Sequence, residues 1–115
     1  MKALTPLLNV QDAARSVSFY CEKLGFGIDN SFEDKGKLVW AHISRGPAQM
    51  MINASCERAA RGVRVGAKTY DDVVLYFSVE DVHSLHRDLR ACGCVLGPIE
   101  RQDYALDEFT LRDPD

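Results

Sequence analysis

One pattern occurs twice along this chain and constrains its fold more than any single residue does. An extended apolar run ends in Val-x-Asp, an amphipathic helix follows, and a glycine stops it. In the first half the run is Leu4 to Val10, Asp12 offers a side-chain oxygen to the helix start, and Ala13, Val17, Tyr20 and Leu24 recur at helical spacing before Gly25. In the second half the run is Asp72 to Val79, Asp81 takes the capping place, and Val82, Leu85, Leu89 and Cys92 form the stripe before Gly93. Val10-Gln11-Asp12 thus aligns with Val79-Glu80-Asp81, and Gly25 with Gly93 once one residue is deleted from the helix.

The first half continues with strand-like runs Phe26 to Glu33 and Leu38 to Ser44, joined by the polar turn Asp34-Lys35-Gly36-Lys37. A third run, Ala48 to Asn53, follows the Arg45-Gly46-Pro47 turn, so this half reads βαβββ. The second half continues through Val95 to Arg101 and Glu108 to Arg112, then reaches Asp113-Pro114-Asp115 one strand short. The expectation is an α+β domain over 1–115: module one at 1–55, a solvated connector at 56–71 and module two at 72–115.

At 115 residues, one domain with a real core is the expectation, and 46% hydrophobic with 27% charged residues is an ordinary globular balance. No apolar run approaches the length of a membrane span, and the opening MKALTPLLNVQD lacks a cleavage-site pattern, so a cytoplasmic protein with no membrane partner is expected. A net charge of −3 with no basic cluster argues against a phosphate-backbone ligand; Arg58, Arg61 and Arg64 are the only local concentration of arginine, and no nucleic-acid partner is expected. Of the four cysteines, Cys21, Cys56, Cys92 and Cys94, no two form a Cys-x-x-Cys, and only Gly93 separates the last pair. Free thiols in a reducing compartment are expected.

Two tandem βαβββ modules, each opening with a strand that ends Val-x-Asp, resemble the vicinal oxygen chelate superfamily of glyoxalases, bleomycin resistance proteins and extradiol dioxygenases. The segment SVSFYCEKLGF (16–26) is similar to the first-helix pattern S-x-x-F-Y-x-x-x-L-G-F of that superfamily. The closing YALDEFTLRDPD (104–115) resembles its signature, in which E-F, an apolar strand and R-D-P-x-G precede a final strand. The resemblance implies a curved mixed sheet with helices on its convex side, the last strand of module two being absent from the sequence. It also implies a homodimer, because modules pair within or between chains and a second copy would cover the unpaired edge.

In metal-dependent members of that superfamily, each module offers a His or Gln five residues before the valine of Val-x-Asp, and a Glu near its last strand. Carried onto this chain, the first position falls on Thr5 and Val74, and the Glu of module one on Met51 or, one residue over, Met50. The Glu of module two falls beyond Asp115. Valine has no donor atom, threonine a weak one and methionine a soft sulfur, so no metal or other cofactor is expected; a divalent metal is the alternative.

Strand parity expects Thr5, Leu7, Asn9, Trp40, His42, Gln49, Met51, Asn53, Val74 and Tyr76 on the concave face, with Tyr104 and Glu108 at its mouth or wall. His83 and His86 are expected toward solvent, because Val82, Leu85 and Leu89 turn inward. The face is apolar and aromatic with a few neutral hydrogen-bonding groups, the composition of a small-molecule pocket. Trp40, His42, Gln49, Met51, Tyr76, Tyr104 and Glu108 are its candidate ligand-binding residues, and no catalytic grouping of Ser-His-Asp or Cys-His type is present. The resemblance to the bleomycin resistance branch implies a metal-free protein that binds an antibiotic-like or aromatic molecule. The alternative is a metal-dependent lyase, isomerase or dioxygenase acting on vicinal oxygens through His42, Glu108 and a residue beyond Asp115; a structural role with a filled pocket is a third reading.

Overall fold

The computed structural model describes residues 1–54, 74–103 and 105–114, so the connector at 56–71 and the candidate Tyr104 lie outside the described residues. The chain divides into two compact units, Met1–Val73 with Pro114–Asp115 and Val74–Asp113.

The first unit runs strand β1 (Leu7–Val10), helix α1 (Ala13–Ser18), a π-helical turn (Phe19–Lys23), then strands β2 (Gly27–Asp34), β3 (Lys37–Arg45) and β4 (Ala48–Ala54). The four strands form a mixed sheet in the order β1-β4-β3-β2, with β1 parallel to β4 and the other pairs antiparallel. Strand β1 starts at Leu7, not Leu4, because Pro6 has no N–H to give a ladder. Its carbonyl still accepts a hydrogen bond from the Met51 N–H at 2.8 Å. Between β2 and β3, Lys35 (φ 50°) and Gly36 (φ 78°) both adopt positive φ, the two-residue turn that matches strand twist.

The helical stripe behaves as its spacing predicts. Asp12 caps α1 by accepting the Arg15 N–H at 3.1 Å. Ala13, Val17, Tyr20 and Leu24 are buried, as are Ala41, Ile43, Met50 and Ile52, which alternate along β3 and β4, the strands on which α1 packs. Full burial of a side chain such as Ile43 or Ile52 contributes about 1.5–3 kcal/mol. The extra residue that the repeat alignment had to delete has a structural form. A π-helical turn holds one more residue than an α-helical one over the same rise, and it occupies Phe19–Lys23 in the first unit only. Both helices then stop at the aligned glycines, Gly25 at φ 71° and Gly93 at φ 73°.

The second unit contains helix α2 (Val82–Leu89), a 3-10 turn (Arg90–Cys92), and strands β5 (Val95–Arg101) and β6 (Asp107–Leu111), which pair antiparallel. Asp81 caps α2 through the Ser84 N–H at 2.9 Å, repeating the Asp12 cap. Three expectations are corrected here. The strand expected at Asp72 to Val79 is not formed over its described part: residues 74–79 belong to no strand, and Val74, Tyr76, Phe77 and Val79 are exposed. A strand is defined by its ladder; among the described residues the aligned β1 pairs with β4 alone, and the second unit has no counterpart of β4. The thiols expected free at Cys92 and Cys94 form a disulfide instead. The left-handed Gly93 turns the chain back so that the two Cα atoms lie 5.5 Å apart, within disulfide range.

His86 is the third correction. It is half-buried with its ring edge-on to Phe109 of β6 at 4.9 Å, and its Nε2 lies 3.1 Å from the Gly97 carbonyl. His83, by contrast, is exposed as expected, and pairs with Asp107 at 3.3 Å. Among the described residues, no helix is long and apolar enough to cross a membrane.

Candidate functional site

Helix α1 covers one face of the four-stranded sheet, and parity sends the alternate residues of every strand to the other face. The ladder registers place them in two cross-strand rows. Leu7, Met51, His42 and Asn30 lie side by side in one, and Asn9, Asn53, Trp40 and Phe32 in the next. Ser44 and Gln49 pair beyond the first row. Of the expected site residues, Trp40, His42, Gln49 and Met51 are thus brought together. Tyr76 and Glu108 belong to the second unit, where Tyr76 is exposed and Glu108 alternates with Phe109 along β6.

The polar groups on this face are partnered with one another. Asn53 Nδ2 donates to Asn9 Oδ1 at 3.0 Å, which ties β4 to the edge strand β1. His42 Nε2 lies 3.2 Å from Gln49 Oε1, and His42 Nδ1 lies 3.4 Å from the Asp29 carboxylate. Asp29 reaches the ring because the β2–β3 register shifts between Ile28 and Asn30, which re-aims one residue of β2. A neutral imidazole has one N–H. Donated to Asp29, it leaves Nε2 as an acceptor, which Gln49 satisfies by turning its amide nitrogen inward; an imidazolium donates to both. The His42 side chain is 26% exposed, so the ring's edge remains open to a third partner.

Around this polar line the face is apolar. Phe32 and Leu7 are exposed, while Trp40 and Met51 are half-buried. Sequence reasoning placed Leu7, Asn9, Trp40, His42, Gln49, Met51 and Asn53 correctly on one face but missed Phe32 and Asp29. Neither was readable from the chain: counting back from the Lys35-Gly36 turn sets Phe32 opposite Val39, and a register shift between Phe32 and Glu33 moves it to Trp40, while a second shift, between Ile28 and Asn30, re-aims Asp29. An alternating pattern carries no mark of a register shift.

The inherited metal positions do not fit a hard divalent cation. Thr5 is half-buried ahead of β1 with only a hydroxyl to offer, and Met51 presents a thioether beside His42. Val74, exposed in the second unit, has no donor. The alternative pair, His42 and Glu108, is divided between the two units.

Residues 3–115 match the model of the family described as the glyoxalase/bleomycin resistance protein/dioxygenase superfamily. No curated protein matches the chain in sequence. Among solved structures, a protein of unknown function from Agrobacterium tumefaciens is 26% identical, with 99% of this chain and 86% of that one covered at a TM-score of 0.71. A bleomycin resistance determinant encoded on the transposon Tn5 is 23% identical, with 99% and 90% covered at 0.69. The bleomycin-binding protein of the bleomycin-producing Streptomyces verticillus, solved with copper(II)-bleomycin, is 24% identical, with 99% and 90% covered at 0.64.

Proposed function

The chain belongs to the glyoxalase/bleomycin resistance protein/dioxygenase superfamily, and from that premise we propose that it is a cytoplasmic, homodimeric binding protein for an aromatic or antibiotic-like small molecule, held without a metal on the open face of the first sheet. The observation that carries this reading is the pair of cross-strand rows. Trp40 and Phe32 stand opposite one another, flanked by His42, Gln49 and Asn53, so a planar apolar surface adjoins a line of oriented hydrogen-bonding groups. That arrangement holds a planar ligand by stacking and fixes its orientation by polar contacts. It contains no activated nucleophile, and sequestration requires none.

The donor chemistry of Thr5 and Met51 supports the metal-free form. The names of two structural neighbours make a bleomycin-type glycopeptide the first probe. Because Trp40 is the only tryptophan, its fluorescence reports on this face alone. Titration with the glycopeptide and a panel of planar aromatics is expected to quench it saturably. Trp40→Ala is expected to weaken binding at least tenfold by calorimetry, about 1.4 kcal/mol. Silence across the panel would overturn the reading. Stoichiometric zinc, nickel, manganese or iron in untagged protein would transfer the weight to the metal-dependent lyase, isomerase or dioxygenase. Light scattering tests the homodimer, which a monomer at high concentration would contradict.

A further inference from the structure

The second unit carries a chemical group that the binding reading does not use. Cys92 and Cys94 are joined across the single residue Gly93, at the point where α2 gives way to β5. A disulfide stabilises a fold chiefly by closing a loop in the unfolded chain, and the effect grows with the length of loop closed. One intervening residue closes almost nothing. The turn is already defined without it, by the left-handed Gly93 and by the Arg112 N–H donating to the Cys94 carbonyl at 2.9 Å. The bond is therefore nearly superfluous as a staple.

Its surroundings suit exchange chemistry. Both cysteines are half-buried, Cys92 between exposed Ala91 and Gly93 and Cys94 between exposed Gly93 and half-buried Val95, so an attacking thiolate can approach a sulfur. Arg90 and Val95, which bracket the pair in the chain, line a groove of about 480 Å³ with His86, Gly97 and Pro98. Among these lining residues Arg90 carries a guanidinium, complementary to a carboxylate, and Val95 and Pro98 add apolar surface. Cys21, in the first unit, is a built-in contrast: burial, aided by the Glu22 charge, pushes its thiol pKa up and keeps it protonated.

We propose that Cys92–Cys94 is a reversible thiol–disulfide exchange site for a low-molecular-weight thiol that carries a carboxylate. A first thiolate attacks one sulfur of the pair, breaks the Cys92–Cys94 bond and forms a mixed disulfide, leaving the other cysteine as a thiolate that takes up a proton. A second thiolate attacks the small-molecule sulfur of that mixed disulfide and releases the remaining cysteine, which is also protonated. Two small thiols are oxidised to their disulfide, and the pair takes up two electrons and two protons.

The test uses the full-length protein, purified in air, and reduced glutathione as the probe. Trypsin cuts after Arg90 and Arg101, so both cysteines fall in one peptide, Ala91–Arg101. Before treatment this peptide is expected to resist alkylation. After millimolar glutathione at neutral pH it is expected to carry two alkyl groups, with the far-ultraviolet circular dichroism unchanged. Cys92→Ser, which leaves Cys94 without its partner, is expected to gain the mass of one glutathione from oxidised glutathione. Arg90→Ala is expected to slow the reaction with glutathione severalfold while leaving the reaction with uncharged 2-mercaptoethanol unchanged. Two free thiols in the air-purified protein, or a bond that opens only in denaturant, would overturn the exchange site. Equal slowing of both thiols by Arg90→Ala would overturn the preference for a carboxylate.

Discussion

The two units begin with the same local instructions and differ in what those instructions bury. Each has an aspartate cap, an amphipathic helix and a left-handed glycine, at Asp12 and Gly25 in one and Asp81 and Gly93 in the other. In the first unit the helix meets four paired strands, and Val10, Ala13, Val17, Tyr20, Leu24, Phe26, Ala41, Ile43, Met50 and Ile52 become a core. In the second it meets two paired strands, and Leu89 is the one described apolar residue that reaches the same burial. Local propensity writes a helix, but the width of the opposing sheet decides how much of its stripe leaves water. Against the two-stranded sheet, His83 and Arg101 meet the Asp107 carboxylate and the His86 ring stands edge-on to Phe109.

The comparison breaks most directly on paired truncations. Ile43→Ala is expected to cost about 2–5 kcal/mol in a denaturant melt, because it empties a fully enclosed position. Leu85→Ala, half-buried on α2, is expected to cost about 1 kcal/mol. Equal losses would mean that the second unit buries as well as the first. The glycines come next, and here the units should agree. Gly25→Ala and Gly93→Ala each force an alanine to φ near +70°, at a cost of about 1–2 kcal/mol. Steric crowding adds little to either: a Cβ at Gly25 meets the Arg45 guanidinium at ordinary contact distance, and one at Gly93 meets nothing. A large difference between them would show that the repeat is not equivalent at its stops. Asp12→Ala and Asp81→Ala are likewise expected to match, each losing about 1 kcal/mol with its cap.

The smallest effect is one of pH, and it should appear in the second unit alone. Hydrogen bonds from Arg101, then His83, hold the Asp107 carboxyl below the usual carboxylate range. A folded-state pKa below the unfolded value of about 3.9 means that the unfolded chain takes up the proton first as pH falls. The stabilisation is complete above that value and disappears as pH drops through the lowered one. Amide exchange in β5 and β6 is therefore expected to quicken in that window, with β3 and β4 unchanged, and Asp107→Asn is expected to remove the pH dependence.

How much could be read from the chain follows the same division. Alternation along β3 and β4 and the stripe of α1 were legible because each is a local period with a wide partner to satisfy it. The same alternation at Val73, Leu75, Phe77 and Val79 announced a strand, yet over the described residues 74–79 no ladder forms, since pairing depends on a neighbour that no local period encodes. His86 misled for a related reason. Its position beside the Val82–Leu85–Leu89 stripe marked it for solvent, whereas Phe109 and the Gly97 carbonyl take it up. The Cys92–Cys94 bond escaped because spacing rules look for Cys-x-x-Cys and overlook what a left-handed glycine does to Cys-Gly-Cys. On the candidate face, residues of regular parity on β1, β3 and β4 were foreseeable; Phe32 and Asp29, placed by register shifts in β2, were not.

The parallel pairing of β1 with β4 also orders events in time. Strands β2, β3 and β4 close through short turns, while β1 finds β4 only after a long segment has been drawn in, Asn9 and Asn53 being 44 positions apart. Loop-closure entropy opposes the long closure more than the short ones, so the edge strand docks late and leaves early. The Asn9–Asn53 hydrogen bond, and with it the full width of the open face, is expected to form late in the folding of the first unit. A ligand spanning β1 and β4 would therefore act on the rate of unfolding and leave the rate of folding almost untouched.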